Sequence, residues 1–128
     1  MNSFILKGKY IGLEKGPNSI LDNLIKDILV DDEEIVFCAK KRRLGVVFTT
    51  KRIISVCRKG ISPFNRELSS IPYNMISTFS WEQKEGFSSF TSKLVIYVSA
   101  MGRAEFVFKG SKETGRIYKI IAERILSN

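Results

Sequence analysis

The residue types that most often carry enzyme chemistry are scarce in this chain of 128 residues, which contains no histidine and only two cysteines. Without histidine, the Ser-His-Asp and Cys-His arrangements and every histidine-containing zinc or iron site are excluded. Cys38 and Cys57 are too few for a four-thiolate zinc site, and both lie in apolar stretches. We therefore expect buried free thiols, no metal centre and no cofactor.

Two groups of carboxylates remain as candidates for acid–base chemistry. Residues 31–34 read Asp-Asp-Glu-Glu, but consecutive acids in a loop point in different directions and repel each other. Glu82 and Glu85 could pair across a bend near the end of a strand. Such residues are more often solvated or paired with a lysine, here Lys84 or Lys93. We therefore predict no enzymatic activity.

The basic residues are concentrated in one segment. Residues 40–66 contain nine Lys or Arg and no Asp or Glu, whereas the rest of the chain contains 12 basic and 13 acidic residues. A localised excess of positive charge is typical of a surface that binds an anionic partner. The alternative is that these residues lie in solvated turns and prevent edge strands from pairing with other chains. The candidate anion-binding residues, called the basic rim below, are Lys40, Lys41, Arg42, Arg43, Arg58 and Lys59.

The hydrophobic pattern of residues 17–30 predicts a helix, because apolar residues recur there at every third or fourth position. Its apolar stripe either covers its own domain or packs on a neighbouring subunit. The acidic residues 31–34 are expected in the loop beyond this helix, since they would oppose the dipole at its C-terminus. Residues 1–15 contain scattered glycines and hydrophobics, which predict an irregular or weakly strand-like lead-in.

Residues 35–109 have a different residue pattern, in which short runs of β-favouring residues are separated by turn residues. The predicted strands cover residues 35–40, 44–49, 52–58, 65–71, 75–83, 93–99 and 104–109. Seven strands without long helices between them favour antiparallel meanders, and hence a barrel or sandwich. A C-terminal helix is predicted over about residues 111–127, with a wide apolar face that packs on the sheet. No repeat or linker interrupts the chain, so a single domain over residues 1–128 is expected.

This strand order predicts where the charged side chains gather. If the first strand ends near Lys40 and the third near Arg58, an antiparallel meander returns the chain to the same end of the sheet. The basic rim would then form one surface, with Arg52 at the opposite end. In that position Arg52 is expected to brace the barrel against Glu82 or Glu67 rather than to bind a ligand.

Several motifs occur in a recognisable order: FTTKR at residues 48–52, SIPYNMI at 70–76, FSWE at 79–82, GF at 86–87 and LVIY at 94–97. Together they resemble the bacterial pleckstrin-homology-like (PH-like) family over roughly residues 17–127. The resemblance implies a mainly β (α+β) fold, a seven-stranded, bent antiparallel PH-like barrel or sandwich with a C-terminal helix. The helix over 17–30 is additional to that plan. The family's acidic residues after the Gly-Phe pair are replaced here by SSFTSK at residues 88–93, so no metal or partner contact is carried over from them.

The sequence as a whole predicts a non-catalytic binding or scaffolding module that mediates protein–protein interaction and self-association, because open barrels leave strand edges for subunit contacts. The resemblance implies that the homo-oligomer is cyclic. The alternative is peripheral binding of anionic lipid or phosphate head groups through the basic rim. In eukaryotic PH domains the first hairpin supplies basic residues to inositol phosphates, and residues 40–43 are similar in position.

Other partners are less favoured by the sequence. Nucleic acid would need aromatic residues that the barrel requires as core, and no RNA-recognition motif is present. No small-molecule substrate is evident. The sparse cysteines and the absence of a secretory or membrane-spanning pattern favour a cytoplasmic protein, at the membrane periphery if the basic rim binds lipid.

Overall fold

The structure is a computed structural model that describes residues 9–15, 23, 25–61, 65–86, 90–99, 102–109 and 115–127. Within them the strands are β1 (Lys9–Lys15), β2 (Ile35–Lys41), β3 (Leu44–Thr49), β4 (Arg52–Arg58), β5 (Arg66–Pro72), β6 (Ile76–Glu85), β7 (Phe90–Val98) and β8 (Gly102–Lys109). A short 3-10 helix (Tyr73–Met75) follows β5, and the helix α1 spans Gly115–Leu126. All seven predicted strands are present as β2 to β8, with ends within three residues of the prediction.

The strands form a continuous sheet in the order β5-β4-β3-β2-β1-β8-β7-β6. Strands β2 to β5 make one antiparallel meander, and β6 to β8 make a second. Only the residues Tyr73–Met75 separate β5 from β6 along the chain, although these strands stand at opposite ends of the sheet order. The sheet must therefore curl until its two ends approach each other, which is the bent PH-like architecture.

The lead-in is more regular than its sequence indicates. Strand β1 pairs antiparallel with β2, where Glu14 lies opposite Lys40, and parallel with β8, where Lys9 lies opposite Glu105. Strand β1 thereby joins the two meanders. Its parallel pairing with β8 differs from the antiparallel pairing that was predicted for the strands. These partners are distant in sequence, so the local residue pattern does not reveal them.

The main core lies inside the curled sheet, and aromatic rings fill its centre. Phe48 is fully buried and contacts the rings of Phe37, Phe106 and Phe108 at centroid distances of 6.1, 6.3 and 6.1 Å. Ile121 of α1 is fully buried in the same core, so the C-terminal helix packs on the sheet as its apolar face predicts. Residues 111–114 of that predicted helix lie outside the described residues.

A second apolar cluster covers the other face of β2, β3 and β4. Its fully or largely buried members are Ile25, Cys38, Val47, Ile54 and Val56. The apolar runs in β3 and β4 are continuous rather than alternating because both faces of these strands are covered. Half of the predicted helix over 17–30 lies outside the described residues. Its described helical residues end at Lys26, about four residues earlier than predicted, because residues 27–30 form a turn and a loop in which the N–H of Val30 donates to Glu33 Oε1. Ile25, within the helical part, packs on the protein's own sheet.

The cysteines and carboxylates of the described residues do not form a ligand cluster. Cys38 is buried, Cys57 is half-buried, and both are free thiols. Within the ranges that the structure describes, no group of three or more His, Cys, Asp or Glu is placed to hold a metal ion. None of the described helical segments is long and apolar enough to cross a membrane.

Candidate functional site

The basic rim is assembled at one end of the first meander. Strand β2 ends at Lys41 and β4 ends at Arg58, and the Leu44–Cys57 register places the β2–β3 turn beside the end of β4. The backbone N–H of Arg58 donates a hydrogen bond to the carbonyl of Arg43 at 2.9 Å. The structure thus brings the six candidate residues to one end of the sheet.

Direct contacts tie the two rim loops together. The Arg43 Nη1 donates to the carbonyl oxygen of Gly60 at 2.6 Å. Gly60 adopts a φ of 71°, the left-handed region that glycine reaches without steric cost. The loop is closed at its base by a hydrogen bond from the Lys59 N–H to the Asn65 carbonyl at 2.7 Å. The backbone of the basic rim is therefore held by hydrogen bonds within the protein.

Acidic residues lie beside two cations of the basic rim, since Glu14 lies opposite Lys40 in the β1–β2 register and Glu67 contacts Lys59. Lys59 forms an ion pair with Glu67 at 3.2 Å, but both side chains are well exposed, so water screens the pair. Arg66 lies opposite Arg58 in the β4–β5 register and adds a further cation to this end. Ile61 follows Gly60 in the same loop and is 98% exposed.

The opposite end of the meander contains a buried ion pair that the sequence only partly predicts. Arg52 Nε donates to Glu33 Oε2 at 2.8 Å, and Arg52 Nη2 donates to Glu33 Oε1 at 3.0 Å. The same guanidinium also donates to the carbonyl of Ile28 at 2.7 Å and to Ser70 Oγ at 3.0 Å. Arg52 thus braces the barrel as expected, but the predicted partners were wrong, because Glu33 takes that place.

Glu33 is a structural anion rather than an acid–base group. Burial alone would raise its pKa, but hydrogen bonds from Arg52, from Thr49 and from the N–H of Val30, together with the Arg52 charge, lower the pKa to about 2. The bond from Thr49 Oγ1 to Glu33 Oε2 is 2.6 Å long. Glu33 therefore stays ionised at neutral pH and accepts the hydrogen bonds that hold Arg52 in place.

Tyr73 joins two of the sequence motifs at this end. Its buried hydroxyl donates to the carbonyl of Thr49 at 2.8 Å, so the SIPYNMI segment is fastened to the FTTKR segment. Burial raises the pKa of Tyr73 above the ordinary tyrosine value, while the charge of Arg124 acts in the opposite direction. This hydroxyl is therefore a structural donor over the physiological pH range.

The second carboxylate pair considered for catalysis is not assembled as one. Glu82 and Glu85 are both exposed on β6. Glu82 instead forms an ion pair with Lys93 at 3.2 Å, one of the two lysine partners that the sequence allowed. The position of these carboxylates on a solvated strand gives them no enclosed site in which to act.

The outer side of α1 carries a surface that sequence reasoning missed. The prediction gave the helix one wide apolar face against the sheet, but the structure leaves three residues at its flank, Tyr118, Ala122 and Leu126, along a shallow concavity of about 750 Å³. We call these three residues the α1 stripe. Tyr118 is 41% exposed and Leu126 is 72% exposed.

One end of the α1 stripe is fixed by aromatic contacts with β6. The ring of Tyr118 lies 5.7 Å from that of Phe79 and 6.1 Å from that of Trp81. Trp81 in turn stacks on the core residue Phe108 at 6.2 Å. The Tyr118 end of the stripe is therefore continuous with the aromatic core.

Comparison with known proteins agrees with this architecture. The family model described as Bacterial PH domain matches residues 8–125. The chain belongs to the bacterial PH domain family. It is also 38% identical to the uncharacterized protein YjqA of Bacillus subtilis (strain 168), over 93 residues that cover 73% of each chain. The resemblance carried by the FTTKR, SIPYNMI and FSWE motifs is thereby confirmed.

Solved structures show the same fold. A DUF1696 family protein with a pleckstrin-homology domain from Shewanella loihica PV-4 matches with a TM-score of 0.71 at 24% identity, covering 91% of this chain and 99% of its own. A pleckstrin homology domain from Shewanella amazonensis SB2B matches with a TM-score of 0.59 at 29% identity, covering 83% and 96%. These bacterial PH domain structures confirm the PH-like fold and suggest a binding module.

Proposed function

We propose that this bacterial PH domain, taken as one domain over residues 1–128, is a non-catalytic binding module that self-associates through the α1 stripe. The observation that carries the proposal is the exposure of Tyr118 and Leu126 along one side of α1. Contiguous apolar patches of this kind on a small domain mark interaction surfaces, because leaving them in water is unfavourable.

The charges beside the α1 stripe favour a second copy of the chain as the partner. Lys119 and Glu123 lie on the same side of the α1 stripe, one helical turn apart, and both line the concavity. A two-fold axis near Ala122 would pack the helices antiparallel and place Lys119 of each copy opposite Glu123 of the other. The small Ala122 side chain at the centre permits close approach of the two helices.

Sedimentation velocity at several protein concentrations tests this proposal. We expect wild-type protein to dimerise and Leu126→Glu to remain monomeric, because a carboxylate at the α1 stripe would be buried without a partner. Ile61→Glu is the matched control, since it makes the same kind of change at an exposed aliphatic residue that does not line the α1 concavity. A wild-type protein that stays monomeric at high micromolar concentration would contradict the proposal.

A charge swap separates pairing from damage to the fold. Lys119→Glu should weaken dimerisation by placing like charges together, and Lys119→Glu combined with Glu123→Lys should restore it. The double variant keeps the composition of the helix while reversing both charges. Failure of the double variant to recover the wild-type dimer, with its fold intact by circular dichroism, would argue against the two-fold arrangement.

A second candidate function is supported by the basic rim. Its cations occupy one end of the sheet, where the hydrogen bond from Arg43 to Gly60 joins the two loops and the Lys59–Glu67 ion pair is exposed to water. Such a surface suits anionic lipid or phosphate head groups at a membrane periphery, with each basic residue worth about 1 kcal/mol near an anionic bilayer.

Cosedimentation with phosphatidylglycerol-containing vesicles tests this second function. We expect binding at low salt that weakens at physiological salt, since screening reduces the attraction between exposed charges. Reversing two exposed rim charges, in Lys41→Glu with Arg42→Glu, should reduce binding by more than about tenfold. The control reverses two exposed charges elsewhere, in Lys26→Glu with Lys51→Glu. Equal losses in the two double variants would show that net charge, and not the basic rim, governs binding.

A further inference from the structure

The loop between β4 and β5 holds a large aliphatic side chain in the open beside the basic rim. Ile61 is 98% exposed, the highest value among the exposed large hydrophobic residues that the structure describes. The residue before it, Gly60, is held by the 2.6 Å hydrogen bond from Arg43, and the Lys59–Asn65 bond closes the loop base. The residue next to Ile61 is therefore tied to the basic rim through its carbonyl oxygen.

We propose that Ile61 is an apolar anchor that enters the surface of an anionic membrane while the basic rim binds the lipid head groups. This inference rests on the second candidate function, because a single aliphatic side chain without the cations gives little affinity for a bilayer. The cations lie at the ends of β2, β3 and β4, and Ile61 lies in the loop beyond them. A membrane matches this order, with its anionic head groups outside and its apolar chains beneath.

Other anionic partners would complement the cations of this surface but not the exposed Ile61. A nucleic acid backbone or an acidic peptide would neutralise Arg43 and Lys59 but would leave Ile61 in water or against polar groups. Exposure of a large aliphatic side chain is unfavourable wherever it finds no apolar surroundings. A lipid surface satisfies both the charges and Ile61, and for that reason it is the partner we infer.

The experiment compares the 128-residue chain and its Ile61→Ser variant on vesicles of phosphatidylcholine with and without phosphatidylglycerol. We expect Ile61→Ser to weaken partitioning onto the anionic vesicles about tenfold, the size expected for withdrawing one aliphatic side chain from an apolar phase. Met75→Ser is the matched control, because Met75 is also an exposed apolar residue but lies beyond β5, at the other end of the sheet. It should bind within about twofold of wild type.

A second measurement reads insertion directly. The fluorescence of the tryptophan in Ile61→Trp should be quenched by lipids brominated in their acyl chains when phosphatidylglycerol is present. The quenching should exceed that of Trp81 fluorescence in the wild-type protein. Absence of this quenching while the protein is vesicle-bound would overturn the inference. The same conclusion would follow if Ile61→Ser bound as well as wild type, or if Met75→Ser lost as much.

These outcomes are separable from failure of the second candidate function. If Ile61→Ser binds normally but reversal of Lys41 and Arg42 abolishes binding, the basic rim binds head groups without an anchor. Titration with glycerophosphoglycerol, a soluble head group, tests the basic rim with no bilayer present. If wild-type protein binds neither the vesicles nor this head group, the second candidate function itself fails, and the anchor fails with it.

Discussion

The buried ion pair between Glu33 and Arg52 makes the stability of this domain depend on pH. The pKa of Glu33 is lowered from 4.5 to about 2, and at about 1.4 kcal/mol per pKa unit this corresponds to about 3 kcal/mol of folding free energy. Because the folded-state pKa lies below the unfolded value, this stabilisation is fully present above about pH 5 and is lost as the pH falls towards 2. We expect Glu33→Gln to remove it, since the amide keeps the shape of the side chain but not its charge.

The assay is urea unfolding at a series of pH values from 7 to 2, followed by circular dichroism and by the fluorescence of Trp81, the single tryptophan. At pH 7 Glu33→Gln should lower the free energy of unfolding by about 3 kcal/mol, in the range for breaking one partner out of a buried pair. The difference from wild type should shrink steadily below about pH 5 and become small near pH 2. Urea is preferred because it does not screen charges.

Glu34→Gln is the matched control, because the neighbouring Glu34 is exposed and the variant removes the same charge. It should change stability by less than about 0.5 kcal/mol at pH 7. The reasoning would be refuted if Glu33→Gln kept the wild-type dependence on pH between 5 and 2. It would also be refuted if both variants lost the same stability, since the effect would then come from overall charge.

Three further predictions concern buried side chains elsewhere in the domain. Tyr73→Phe leaves the Thr49 carbonyl without its 2.8 Å buried donor and should lower the free energy of unfolding by about 1–3 kcal/mol in urea titrations; no change would mean that water replaces the hydroxyl. Phe48→Ala removes a fully buried ring with three aromatic neighbours and should cost about 3–5 kcal/mol by the same measurement, a value below about 1 kcal/mol being inconsistent with the packing. Alkylation followed by mass spectrometry should label half-buried Cys57 before buried Cys38, and the reverse order would contradict their burial.

The strands could be predicted from sequence because their signals are local. Turn residues separate β2 to β8, and alternating apolar residues such as Phe106 and Phe108 mark the faces that point into the core. Strand β1 could not be predicted with the same clarity, since its regularity comes from pairing with β2 and β8, which lie far away in the sequence. The continuous apolar runs in β3 also conceal that two separate clusters cover its two faces.

The candidate sites could be predicted only to the level of elements. The meander pattern was sufficient to expect the residues of the basic rim at one end, because strand direction alternates regularly. The partner of Arg52 was missed because it depends on how the loop carrying Glu33 folds over the β3–β4 turn, which no spacing rule specifies. The α1 stripe was missed because helical periodicity shows which residues are apolar, but not how wide a face the sheet can cover.

Disulfide trapping at Ala122 tests self-association through α1 most directly. Antiparallel helices related by a two-fold axis near this residue bring both copies of position 122 together, so Ala122→Cys should give a covalent dimer under mild oxidation. Cysteine at exposed Lys41, which does not line the α1 concavity, serves as the control and should remain monomeric on a non-reducing gel. A covalent dimer of Ala122→Cys alone is the predicted result. Equal cross-linking at both positions, or none at position 122, would contradict the account.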